Sequence, residues 1–60
     1  MKIDKVVEVY ESSLVTIGEK INSNIDWNRG HGFQCVDIKI IPARDDYGLT
    51  ALILYTKGEQ

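Results

Sequence analysis

Leu49-Thr50-Ala51-Leu52-Ile53-Leu54-Tyr55-Thr56 decides the fold. The stretch is rich in branched and aromatic residues, and successive side chains of a strand point to opposite sides of a sheet. One face then carries Leu49, Ala51, Ile53 and Tyr55, and the other Thr50, Leu52, Leu54 and Thr56. Both faces are apolar. A strand of this kind needs cover on its two sides, and the rest of the chain is read for what can supply it.

Working back, Cys35 to Ile41 is a second strand, with Val36, Ile38 and Ile40 on one face and Cys35, Asp37, Lys39 and Ile41 on the other. Pro42 ends it, because proline lacks the donor that a central ladder needs. Residues 43–48 form a turn too long for a two-residue hairpin. Ile3 to Tyr10 reads as the first strand. Ile3, Val7 and Val9 face the core, Lys5 is an exception at a frayed start, and Val6, Glu8 and Tyr10 take the other face. Between the first two strands, Ser12 or Ser13 can cap a helix by accepting from an early amide. Leu14, Ile17, Ile21 and Ile25 follow at spacings of three, four and four, which is one apolar stripe. Gly18 beside the stripe costs helix propensity, and a close helix–sheet contact would explain it. The helix is expected to stop near Asp26 or Trp27, where a loop begins.

The expectation is an α+β domain of order β-α-β-β: a three-stranded sheet with one helix on one face. Sixty residues hold a single domain, with Lys57 to Gln60 as a polar tail. So short a chain has a modest core, which metals, disulfides or association commonly supplement. Cys35 is the sole cysteine, so no internal disulfide forms. In an apolar strand it reads as a small buried hydrophobe. With 43% hydrophobic and 27% charged residues the composition is that of an ordered globular chain. A net charge of −2 disfavours nucleic acid and anionic membranes as partners. No stretch approaches the roughly 20 apolar residues of a membrane span. Met1 to Glu11 lack a signal-peptide core, so a cytoplasmic location is the default.

No pattern specifies an enzyme, a cofactor or a metal site. Histidine is a common general base, but no triad accompanies His31 and its spacing from Cys35 makes no nucleophile pair. Gly30-His31-Gly32 falls short of a phosphate-binding fingerprint. Asp45 and Asp46, even joined by Asp26 or Asp37, lack the ligand spacing of a calcium loop. The functional expectation is therefore a protein-interaction module that forms a homo-oligomer, with a heteromeric protein partner as the other option. The contact would be the sheet face that the helix leaves open, with Leu52 and Leu54 beside Tyr10 and Ile41, or the edge of the final strand. Otherwise the 28–34 loop covers part of that face, with Trp27 or Phe33 folded over it. Residues 26–33 combine Trp27, Arg29, His31 and Phe33 with two glycines, and such a loop could supply selectivity. The alternative is a nucleic-acid-binding accessory protein that uses the 26–33 and 43–48 loops, with Arg29, Arg44 and Lys39 as cations and Trp27 or Tyr47 for stacking.

Val36-Asp37-Ile38-Lys39-Ile40, followed by Thr50-Ala51-Leu52-Ile53-Leu54-Tyr55, resembles the Cse60-type family of small sporulation proteins. The length and the Val-rich first strand before a helix fit that resemblance, and the Trp27 to Phe33 segment departs from it. The resemblance implies a small intracellular bacterial or phage protein and supplies no catalytic residue. The topology is also similar to that of dodecins, which form flavin-binding oligomers. The dodecin helix and flavin-site pattern is not matched, so no flavin site is inferred.

Overall fold

The computed structural model describes residues 2–42 and 48–57. It contains β1 (Lys5–Glu11), α1 (Leu14–Arg29), β2 (Phe33–Pro42) and β3 (Leu49–Lys57), an α+β domain of the expected order. The strands form one antiparallel sheet in the order β1-β3-β2. β3 is therefore central, which is why it is apolar on both faces. Its two edges are taken, so association through the edge of the final strand is ruled out and the open edges belong to β1 and β2. Lys57 completes β3 rather than opening a tail, and residues 58–60 of that tail lie outside the described residues.

α1 crosses from β1 to β2 and lies against the sheet. Val9, Ile17, Ile21, Ala51, Ile53 and Tyr55 form the core, with Val7, Ile25, Phe33, Cys35 and Leu49 packed around it. Ser13 is the cap: its Oγ accepts from the Val15 amide at 3.2 Å, satisfying one of the amides a helix start leaves open. At the other end the helix passes the expected stop and runs to Arg29. The extra turn is held by a polar seam. Asn28 is only 1% exposed and donates to the Asn24 backbone oxygen at 2.8 Å and to Asn24 Oδ1 at 3.0 Å. Asn24 Oδ1 also accepts from the Tyr55 hydroxyl at 2.6 Å, and Asn28 Oδ1 accepts from Lys5 Nζ at 2.7 Å. The buried stripe of Ile17 and Ile21 thus continues to Asn28, with half-buried Asn24 beside it, in residues that a search for apolar periodicity passes over. Gly32, at φ 89°, then turns the chain into β2.

Three further expectations change. Ile3 lies before β1 and is exposed, whereas Lys5 sits on the helix side with its amine on Asn28. A Cβ on Gly18 would meet nothing within 4 Å, so no close contact explains that glycine. β2 carries a bulge between Cys35 and Asp37. Cys35 opposes Tyr55, Ile38 opposes Ile53 and Ile40 opposes Ala51, so Cys35 shares the helix side with Ile38 and Ile40. Val36 is the extra residue, and this one-residue shift re-aims half the strand.

Candidate functional site

On the sheet face away from α1, the register sets Val6, Leu54 and Asp37 in one row and Glu8, Leu52 and Lys39 in the next. Tyr10, Thr50 and Ile41 form a third. Tyr10, Ile41, Leu52 and Leu54 therefore share one face, as the alternation implied. Leu52 and Leu54 are half-buried, Thr50 is buried, and Tyr10 and Ile41 are exposed. The apolar ridge is narrower than expected, because Glu8 and Lys39 flank Leu52 and Asp37 flanks Leu54. Neither Trp27 nor Phe33 folds over it. Both lie at the helix side.

The other four candidates gather at the end of α1. Trp27, Asn28 and Arg29 are helical, so the supposed 26–33 loop is one helical turn followed by a short connection. Trp27 is 57% exposed and stacks on His31 with ring centroids 3.7 Å apart. His31 Nδ1 lies 2.8 Å from the Trp27 carbonyl oxygen. A carbonyl only accepts, so that nitrogen carries the proton. Arg29 pairs with Asp26 at 3.2 Å, an exposed i,i+3 contact of the kind worth only a few tenths of a kcal/mol. Phe33 turns inward and meets Tyr55 edge-on, with centroids 6.4 Å apart. Lys5 Nζ lies 5.2 Å from the Trp27 ring centroid and 4.9 Å from that of Phe33, within cation–π range of both. Beside them an open groove of about 530 Å³ is lined by Ile25, Arg29, Gly32, Phe33, Gln34 and Cys35.

The Cys35 thiol donates to the Asp37 carbonyl at 3.7 Å while His31 holds Trp27, so the two engage different partners. Among the described residues no three His, Cys, Asp or Glu side chains group as metal ligands. Arg44, Asp45, Asp46 and Tyr47 fall outside the described residues. No helix among the described residues is long and apolar enough to cross a membrane. The shifted acids serve the fold. The Lys57 amide holds the Asp4 carboxyl below its ordinary value, helped by Thr56 and Lys2, and Lys20 does the same for Glu11. Burial pushes the Tyr55 phenol up.

The surface that the sequence did not disclose is the edge of β2. Ile38 and Ile40 point to the helix side and read as core, yet they are 38% and 49% exposed. α1 reaches β2 near Ile25, beside Phe33 and Cys35. Toward its start Gly18 offers no side chain, while Leu14 and Val15 stand exposed. Among the described residues, that half of β2 therefore has no cover from α1, and no strand lies beside its outer edge. Two apolar residues at the very start of α1 are the only hint of this in the sequence. No family model matches the chain, and neither does any curated protein or solved structure.

Proposed function

We propose that this protein is an interaction module that associates with itself, working by surface complementarity rather than by chemistry. The observation that carries this reading is the open β2 edge, with Ile38, Ile40 and Ile41 all exposed. An edge strand presents unpaired backbone groups that can template another strand, and here exposed isoleucines alternate with Asp37 and Lys39 along it. A chain of this size also gains from association what its own core cannot supply. The Trp27–His31 stack with Arg29 is the part suited to selecting a further protein partner, since large aromatic and guanidinium groups make good anchors.

Sedimentation equilibrium tests the reading. Loading from about 1 µM to about 1 mM spans binding free energies from about −8 to about −4 kcal/mol. The expected result is a mass rising from 6.8 kDa toward its multiple. A monomer throughout would refute self-association.

A further inference from the structure

The geometry points to a defined partner for the β2 edge: a second copy of this chain, added antiparallel about a two-fold axis at Ile38, giving one six-stranded sheet. This rests on the self-association proposed above and specifies its surface and register.

The backbone of this edge faces outward. Tyr55 turns its carbonyl toward the β1 side, where it accepts from the Asp4 amide at 2.9 Å. Alternation along β3 then sends the backbone groups of Leu54 and Leu52 to β2, where Asp37 and Lys39 oppose them. Ile38 and Ile40 consequently turn their backbone groups to the open edge. Ile38 shows the direction, since its amide donates to Asp37 Oδ1 at 2.8 Å rather than to β3, and pairing exchanges that bond for one to the carbonyl of the second copy's Ile38.

Charge selects the register. Asp37 and Lys39 sit two residues apart on the same face, with their side chains 53% and 61% exposed and 3.5 Å from each other. Residues directly opposite in an antiparallel pair share a face, so the register can slip only in steps that keep alternation. Centred on Ile38, each Asp37 opposes Lys39 of the other copy, and two ion pairs form. One step one way sets Asp37 against Asp37. One step the other way sets Lys39 against Lys39, and like charges directly opposite are destabilising. Centring on Ile40 instead calls for a donor at Pro42, which proline lacks.

The same arrangement covers the exposed isoleucines. A two-fold axis normal to the sheet puts both helices on one side. With α1 over β3, three strand spacings separate the helices by about 14 Å. Helices with side chains are about 10–12 Å across, so a gap of only about 2–4 Å remains, floored by Ile38 and Ile40 of both copies.

Charge reversal tests this. Asp37→Lys or Lys39→Asp turns both attractive pairs into repulsive ones and should raise the dimer Kd on the order of 10- to 100-fold. Mixing the two single variants should give a heterodimer, and the double swap Asp37→Lys/Lys39→Asp should restore natural affinity. The double swap also keeps the test decisive if a single variant folds poorly. Ile38→Pro separates edge pairing from face-to-face packing, because it removes the two central hydrogen bonds without taking a ladder bond from β3. It should abolish the dimer. A natural chain that dimerises while the reversals or Ile38→Pro leave it unchanged overturns the edge and leaves self-association standing. A natural chain that stays monomeric overturns both.

Discussion

Replacing Asn28 with leucine should destabilise the domain by about 2 kcal/mol, and the loss should depend on Lys5. Asn28 is buried and its Oδ1 accepts from the Lys5 ammonium at 2.7 Å. A hydrogen bond to a charged group contributes about 1.5–3 kcal/mol. Lys5 is half-buried, so water can reach part of the ammonium and the lower half of that range applies. Asn24 Oδ1 keeps the Tyr55 hydroxyl in the variant, so no second acceptor is orphaned. A chain of this length has a total stability of about 3–9 kcal/mol, so the change is large enough to read in urea. Lys5→Met alone leaves Asn28 Oδ1 without its donor and should cost about 1–2 kcal/mol. The double variant replaces both partners by apolar groups and should lose less than the sum of the singles by about 1–2 kcal/mol. All four proteins must be compared at one concentration, because association shifts apparent stability by mass action. Single effects that add to within about 0.5 kcal/mol would refute the coupling.

Gly18→Ala should raise stability by about 1 kcal/mol through helix propensity, with Tm up by about 4–8 °C, because its Cβ enters open space. A fall in Tm would show that the position is packed. Gly48→Ala should do the opposite, since a Cβ there would stand 2.7 Å from the Glu11 backbone oxygen. The expected loss is about 1–3 kcal/mol, and an unchanged urea midpoint would contradict the close approach. Acid should weaken the fold in a way that traces to two carboxylates. Asp4 and Glu11 titrate below their ordinary values of 3.8 and 4.5, so their contribution is present above those values and is lost as pH falls through the lower, folded ones. Asp4→Asn with Glu11→Gln should flatten Tm against pH below 5, and an unaltered slope would count against both contacts.

How far the fold was legible follows from what each element presents. β3 declares itself through two apolar faces, and the order of elements follows from its neighbours. Its central place does not, because a sequence records which faces are apolar but not which edges are paired. The end of α1 is hidden because Asn28 is buried and Asn24 half-buried through hydrogen bonds to each other, to Lys5 and to Tyr55, a satisfaction that only the fold creates. The bulge at Val36 carries no glycine or proline to mark it, so plain alternation separates Cys35 from Ile38 and Ile40, whose face it shares. Tyr10, Ile41, Leu52 and Leu54 were grouped rightly because strict alternation governs β3 and the adjoining halves of β1 and β2. Ile38 and Ile40 pass for core residues by alternation, and only the position of α1 leaves them uncovered.

The most direct measurement is amide exchange by NMR along the three strands as the protein is concentrated. Ile38 and Ile40 amides should gain protection with concentration, while those on the outer edge of β1 keep constant rates. Constant rates along β2 at every concentration, or gains confined to β1, would contradict an edge that meets its own copy.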